Sequence, residues 1–102
     1  MNIPKDEFIL ELLPDFIDTW IEDIEAQFDG FLEAENYDDM YRLAHTLKGS
    51  CMQFSLNNIA DVGIDLMEQV KHNQWHIIAP YKKSLLDKFH EAKQYLIDNN
   101  LC

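Results

Sequence analysis

Three residues that could carry out chemistry lie close together in the segment AHTLKGSCMQF, which covers residues 44–54. His45 offers a nucleophilic ring nitrogen at neutral pH, and Lys48 offers a positive charge that can hold an anion. Gly49 costs a helix roughly 1 kcal/mol relative to alanine, but it leaves room for a bulky group or for another protein's surface. The combination predicts a site where an anionic group reaches the histidine.

The position of His45 on its helix decides between a core histidine and a surface one. A helix turns about 100° per residue, which places His45 roughly 150° from the middle of the apolar stripe of its helix. Gly49 lies on the same outward side, so close helix packing does not explain it. We therefore predict an outward-facing site formed by His45, Lys48 and Gly49, with Tyr41 and Met52 beside it.

The elements that position this site are predicted from the apolar spacing, which is helical along nearly the whole chain. We predict a short helix from Pro4 through Leu12, a second helix that begins at Pro14, and a third helix that Asn36 caps. A fourth helix follows a turn at Ser55, and the last has Pro80 in its first turn. The predicted fold is all-α, an antiparallel four-helix bundle with a short additional N-terminal helix, in one domain that covers residues 1–102.

The predicted core consists of the apolar residues on one face of each long helix. Its members are Ile17, Trp20, Ile24, Phe28, Phe31 and Leu32, then Met40, Leu43, Ala44, Leu47, Cys51 and Phe54, then Leu56, Ile59, Ala60, Gly63, Leu66 and Val70, and finally Ile78, Tyr81, Leu85, Phe89, Ala92 and Leu96. Asn73 and Gln74 interrupt the pattern before the last helix.

Composition excludes several classes of function. The 102 residues include 8 basic and 19 acidic ones, which give a net charge of −11. Such a surface repels nucleic acid and anionic lipid, so we expect neither as a partner. The sequence lacks an apolar run of about 18 residues and a basic N-terminal segment followed by an apolar one. We expect a soluble, monomeric, cytoplasmic protein in which Cys51 is an inert core thiol and no disulfide forms.

The residues around His45 resemble a known family. The run from Ala44 through Ser50, followed by Phe54, is similar to the H-x-L-K-G-S signature of histidine-containing phosphotransfer (HPt) domains. The resemblance extends to most of the chain, because an aromatic-rich helix, a short acidic turn, the motif helix and two further helices follow the layout of that family.

The resemblance implies a function and a set of roles. HPt domains form four-helix bundles that shuttle a phosphoryl group between aspartates of receiver domains in response regulators and hybrid sensor kinases. By this resemblance His45 accepts phosphate on Nε2, Lys48 stabilises its charge, and Gly49 keeps the approach open for the receiver. No cofactor is expected in this chain, because Mg²⁺ and most of the catalytic apparatus belong to the receiver. The chain is thus expected to be a phosphoryl carrier and not an enzyme with kinase machinery.

Two positions depart from the family pattern. Many members have glycine where Ser55 stands, and we expect an altered turn there because serine can cap the next helix. A Glu or Gln that can orient the histidine often follows the leucine aligned with Leu66, but here Met67 occupies that position and Glu68 comes next. The orienting hydrogen bond is therefore not expected from this position.

Alternative interpretations stay open at this stage. An HPt-like adaptor or inhibitor would bind a kinase or receiver without carrying phosphate, and an unrelated acidic adaptor would require the motif to be accidental. A metal site at His72 and His76 is not predicted, because no third ligand accompanies them. His90 is predicted to be an ordinary exposed residue of the last helix. Since the chain begins at Met1 and holds little beyond the bundle, we expect a free-standing carrier, with a domain cut from a hybrid sensor kinase as the alternative.

Overall fold

The computed structural model describes residues 6–101, and every regular element among them is a helix. The helices, named here in chain order, are α1 (Glu7–Glu33), α2 (Tyr37–Gln53), α3 (Asn57–Lys71), α4 (Trp75–Ile78) and α5 (Tyr81–Asp98). The all-α prediction is confirmed for this part of the chain. None of these helices is long and apolar enough to cross a membrane.

The predicted break at Pro14 is wrong, because α1 runs through this residue without interruption. Proline has no N–H for the carbonyl four residues earlier, and in a helix interior it costs about 3 kcal/mol. Leu13 and Ile17, on either side of it, are completely buried, and burial of two such side chains contributes about as much or more. The separate short helix is instead α4, and the predicted start at Pro4 lies outside the described residues.

The start of α2 is fixed by the predicted cap. The backbone N–H of Asp39 donates to Asn36 Oδ1 at 3.1 Å, and Asn36 Nδ2 donates to Asp39 Oδ2 at 2.8 Å. Asp38 and Asp39 lie in the first turn, where the helix dipole favours negative charge. The N-terminal half of the helix that carries His45 is therefore held in one register.

The core contains most of the residues predicted for it. The buried hydrophobic residues are Leu13, Ile17, Ile24, Phe28, Met40, Leu43, Ala44, Leu47, Cys51, Leu56, Ile59, Ala60, Leu66, Val70, Ile78, Leu85, Phe89, Ala92 and Leu96. Five predicted members are only partly buried and pack at its edge, namely Trp20, Phe31, Leu32, Phe54 and Tyr81. The stripe on α2 accordingly faces inward, which turns the opposite side of that helix outward.

The helices associate as a bundle in which α2 packs mainly on α3 and α1 mainly on α5. The described part measures 40 × 19 × 17 Å, and the 27 residues of α1 account for the long dimension at about 1.5 Å per residue. Lys82 and Lys93 of α5 form ion pairs with Asp29 and Asp18 of α1, at 2.8 and 2.9 Å. The antiparallel direction of the helices stays a prediction.

The turn after α2 differs from the predicted one. The backbone N–H of Leu56 donates to the carbonyl of Cys51 at 2.8 Å, and Ser55 has a φ of 59°. This is the geometry of a helix C-terminus at which glycine is preferred, so serine holds it at a cost of about 1 kcal/mol. Ser55 does not cap α3, because α3 has no side-chain hydrogen bond at its N-terminus.

Gly63 sets the distance between α3 and the segment of α2 that carries His45. A Cβ atom at Gly63 would lie 3.0 Å from Leu47 Cδ2 and 3.3 Å from both the Ala44 carbonyl oxygen and the Lys48 nitrogen. Two of these three atoms belong to the backbone of α2, which cannot move aside alone. The absence of a side chain at Gly63 therefore allows the two helices to approach this closely.

Replacing Gly63 with alanine should destabilise the protein by about 1–2 kcal/mol, because the overpacking cost exceeds the gain in helix propensity. Urea unfolding followed by circular dichroism measures this change. The matched control is Gly30→Ala, since Gly30 is also helical but has no atom within 4 Å of the added Cβ, and this variant should be as stable as the parent or more so. Equal stability of both variants would contradict the close approach.

Candidate functional site

His45 lies on the outward side of α2, where the helical spacing placed it. Its neighbour Ala44 and the residue Leu47 are both fully buried, whereas His45 itself is exposed. Within residues 6–101 the imidazole makes no hydrogen bond and no ion pair. Both ring nitrogens are therefore available to a reacting group that comes from outside.

Lys48 and Gly49 lie one turn further along the same helix. Lys48 is half-buried and forms no ion pair with any described residue, so its charge is not neutralised by a neighbouring carboxylate. Gly49 is exposed, and nothing lies within 4 Å of the place where its Cβ would be. The space above Gly49 is thus open to solvent, and its lack of a side chain has no role in packing within the described part.

Tyr41 lies one turn before His45 on α2, and Met52 lies two turns after it. Tyr41 is half-buried, and its ring stacks on the His45 imidazole with 6.4 Å between the centroids and 24° between the planes. Met52 leaves 55% of its surface exposed. We call the five residues Tyr41, His45, Lys48, Gly49 and Met52 the outward patch.

Two neighbours of His45 were not identified from the sequence. Tyr37 stacks on Tyr41, with 6.0 Å between the centroids and parallel rings. Arg42 lies one turn before the histidine, and its Nη1 donates to Asp39 Oδ1 at 3.1 Å. A surface depression of about 390 Å³ is lined by Tyr37, Asp38, Tyr41, Arg42 and His45. Tyr37, Tyr41 and His45 are spaced by four residues in the sequence. This spacing places them on one face of a helix and indicates that the two tyrosine rings are neighbours.

The charge around His45 differs from that of the chain as a whole. The net charge is −11, and α1 carries acidic residues along its length and no lysine or arginine. In contrast, no acidic residue occurs in the sequence between Asp39 and Asp61. The charged residues three positions before and after His45 are Arg42, which is paired with Asp39, and Lys48. The outward patch itself therefore contains no acidic residue, although Asp38 lines the depression beside His45.

The departure at Met67 removes one way of orienting the imidazole. Met67 is partly buried and packs against the hydrophobic core. The next residue, Glu68, accepts a hydrogen bond from His72 at 3.1 Å and lies 3.9 Å from Lys71 Nζ. Neither residue forms a hydrogen bond with His45 among the described residues.

The remaining histidines and the described cysteine lie elsewhere. His72 is at the end of α3, His76 belongs to the short α4, and His90 is exposed on α5. The described residues contain no group of three or more His, Cys, Asp or Glu side chains that could hold a metal ion. Cys51 is free and buried as predicted, and burial raises the pKa of its thiol to about 12, so it stays protonated at neutral pH.

Comparison with known proteins identifies the family of this chain. The family model of the Hpt domain matches residues 9–94, a range that begins in α1 and ends in α5. No curated protein and no solved structure matches the chain. Hpt domains are phosphocarrier modules of phosphorelays that interact with receiver domains, and they are not kinases. Because the match covers most of the sequence and includes the whole of α2, the chain belongs to the Hpt domain family.

Proposed function

We propose that this protein carries a phosphoryl group in a multistep two-component phosphorelay, with His45 as the residue that accepts it. The donor is the phosphorylated aspartate of one receiver domain, and the acceptor is the aspartate of another. The observation that carries the proposal is that His45, at the motif position of an Hpt domain, is exposed with both ring nitrogens free. The predicted setting is the cytoplasm, with the protein acting as a monomer.

The proposed reaction is a displacement at phosphorus. Nε2 of the neutral imidazole attacks the phosphorus atom of the aspartyl phosphate, so an N–P bond forms while the P–O bond to the carboxylate breaks. The carboxylate leaves with the electron pair, and Nδ1 keeps its proton. The resulting phosphoramidate is high in energy, which allows the reverse displacement by the carboxylate of the next receiver. The Mg²⁺ ion and most of the catalytic apparatus are expected in the receiver.

Lys48 is the proposed source of charge stabilisation. A transferring phosphoryl group carries negative charge that a nearby cation stabilises. Lys48 lies one turn from His45 on the same helix, where residues three apart are neighbours, and no described carboxylate competes for it. Its half-buried position limits the motion of the side chain. Gly49, with open space above it, is proposed to admit the receiver.

Phosphotransfer profiling tests the proposal. Purified receiver domains and sensor kinases of the same organism are phosphorylated with radiolabelled phosphate and mixed one by one with this protein. We expect rapid, reversible transfer with a small subset of receivers. Stable complex formation with no transfer in either direction would instead establish the adaptor, which binds a receiver or kinase without carrying phosphate.

The outward patch is also the proposed docking surface for the receiver. Tyr41 and Met52 would form its apolar centre and Lys48 its charged edge. None of the five residues of the outward patch is acidic, which suits a receiver whose own active site is acidic.

Tyr41→Ala and Met52→Ala should each weaken receiver binding about fivefold or more, which corresponds to the loss of at least 1 kcal/mol. Binding is measured by calorimetry with an unphosphorylated receiver. Ile97→Ala is the matched control, because Ile97 on α5 is 49% exposed and Met52 is 55% exposed. In the parent protein, amide shifts on adding the receiver should cluster at Tyr41, Lys48, Gly49 and Met52. Shifts confined to residues 88–95 would show that this surface is not the interface.

A further inference from the structure

The His45 imidazole touches one ring in the described part of the protein, that of Tyr41. The centroid distance of 6.4 Å and the interplanar angle of 24° lie within the range of offset stacked pairs. None of the hydrogen bonds in residues 6–101 involves the imidazole, and Met67, which packs against the hydrophobic core, supplies none. Among the ring contacts and hydrogen bonds of residues 6–101, the stack with Tyr41 is therefore the one that involves the imidazole.

Tyr41 is itself held in place from two directions. Its side chain is half-buried and packs against the hydrophobic core, and its other ring neighbour is Tyr37, which lies parallel to it at 6.0 Å. Tyr37, Tyr41 and His45 follow one another at a spacing of four residues, so they lie one above the other on one face of α2. We call these three residues the aromatic row.

Orientation of the imidazole matters for transfer because the lone pair of a ring nitrogen lies in the ring plane. It must point at phosphorus in line with the breaking P–O bond, and small misplacements slow such reactions severely. An exposed histidine has a broad distribution of χ2 angles. A hydrogen bond would restrict that angle by occupying a ring nitrogen, whereas a stacked ring restricts it and leaves both nitrogens free.

We propose that Tyr41 is a positioning residue for phosphotransfer, because its core-anchored ring orients the His45 imidazole by stacking. This role rests on the proposed function of His45 and is distinct from the docking role of Tyr41. Stacking takes the place of the hydrogen bond that Met67 cannot provide. Tyr37 supports Tyr41 from the side away from the histidine.

The first test observes the imidazole without any phosphate. In the parent protein, the ring current of Tyr41 should shift the His45 carbon-bound ring protons upfield from the positions of an unstacked histidine. Tyr41→Leu keeps an apolar side chain but removes the ring, so these resonances should move downfield, while Tyr41→Phe should restore the upfield positions. The ring protons of His90 serve as the internal reference. Unchanged His45 resonances in Tyr41→Leu would overturn the proposal.

The second test separates positioning from docking. Transfer from a phosphorylated receiver is followed by rapid quench over a range of receiver concentrations. Tyr41→Leu should lower the maximal rate constant about 2- to 10-fold, the range that a stacking contact supports, and should raise the half-saturating concentration by less. Tyr41→Phe should recover most of the lost rate. A raised half-saturating concentration with an unchanged maximal rate constant would make Tyr41 a docking residue only and would overturn the proposal.

His45→Gln distinguishes a failure of the proposed function from a failure of the positioning role of Tyr41. If His45→Gln still accepts phosphate, the proposed function is wrong and the positioning role of Tyr41 fails with it. If His45→Gln accepts none while Tyr41→Leu transfers at the full rate, the positioning role alone is wrong. Loss of transfer in His45→Gln together with a slowed Tyr41→Leu supports both.

Discussion

Replacing His45 with glutamine should abolish phosphate acceptance and leave the fold intact. Glutamine has no ring nitrogen that can attack phosphorus, so no phosphoramidate can form. The side chain is exposed and makes no hydrogen bond in the described part of the protein, and glutamine is a good helix former. We therefore expect the free energy of unfolding to change by less than about 1 kcal/mol. Transfer from a phosphorylated receiver should fall to background.

His90→Gln is the matched control for this experiment. His90 is also an exposed histidine in the middle of a long helix, and it lies within the range matched by the family. This variant should accept phosphate like the parent protein. In the parent, the phosphate should be labile to acid and stable to alkali, as expected of a phosphoramidate on histidine. Retained phosphate on His45→Gln, or loss from His90→Gln, would move the phosphoacceptor away from His45.

The inward and outward sides of α2 could be predicted from the sequence because one simple rule governs them. Apolar residues at helical spacing must face a core, so the burial of Leu43 and Leu47 and the exposure of His45 follow from the same periodicity. The Asn36 cap was equally predictable, since a side-chain oxygen three residues before a helical N–H satisfies a donor that would otherwise lack a partner.

The features that could not be predicted depend on a balance between the conformational preference of one residue and the free energy of packing in the folded bundle. The cost of Pro14 in a helix is local, but the burial of Leu13 and Ile17 that offsets it is known only once α1 has packed. Ser55 has a sequence preference for capping, yet the turn after α2 places it in the left-handed region. In both cases, packing of the whole bundle outweighs a preference of one residue.

The contacts within the site also depend partly on helical periodicity and partly on how the helices pack. The sequence placed Tyr41 beside His45, but it could not show that Tyr41 packs on the core and stacks on the imidazole. It identified Gly63 as a core position, but the 3.0 Å approach to Leu47 depends on the crossing of two helices. Helical periodicity predicts which face a residue occupies, whereas distances between side chains depend on how the faces meet.

Replacing Gly49 with glutamine should slow phosphotransfer on the order of tenfold or more without destabilising the protein. The added side chain would project from the outward patch beside His45 and would hold the receiver away from bonding distance, and an error of about 1 Å in such a geometry can cost a hundredfold in rate. Nothing in the described part of the protein obstructs the side chain, because no atom lies within 4 Å of the Cβ position. The helix should gain about 0.5 kcal/mol in stability.

Gly30→Gln isolates the effect of position from that of losing a glycine. Gly30 is exposed and helical and has the same open surroundings as Gly49, but it lies near the end of α1. Like Gly49→Gln, the Gly30→Gln variant should be more stable than the parent protein, but it should transfer phosphate at the parental rate. Gly49→Ala should fall between the parent and Gly49→Gln in rate, because a methyl group projects less far toward the receiver. If Gly49→Gln transfers phosphate at the parental rate but unfolds at a lower urea concentration, Gly49 is a packing residue and does not serve to keep the approach to His45 open.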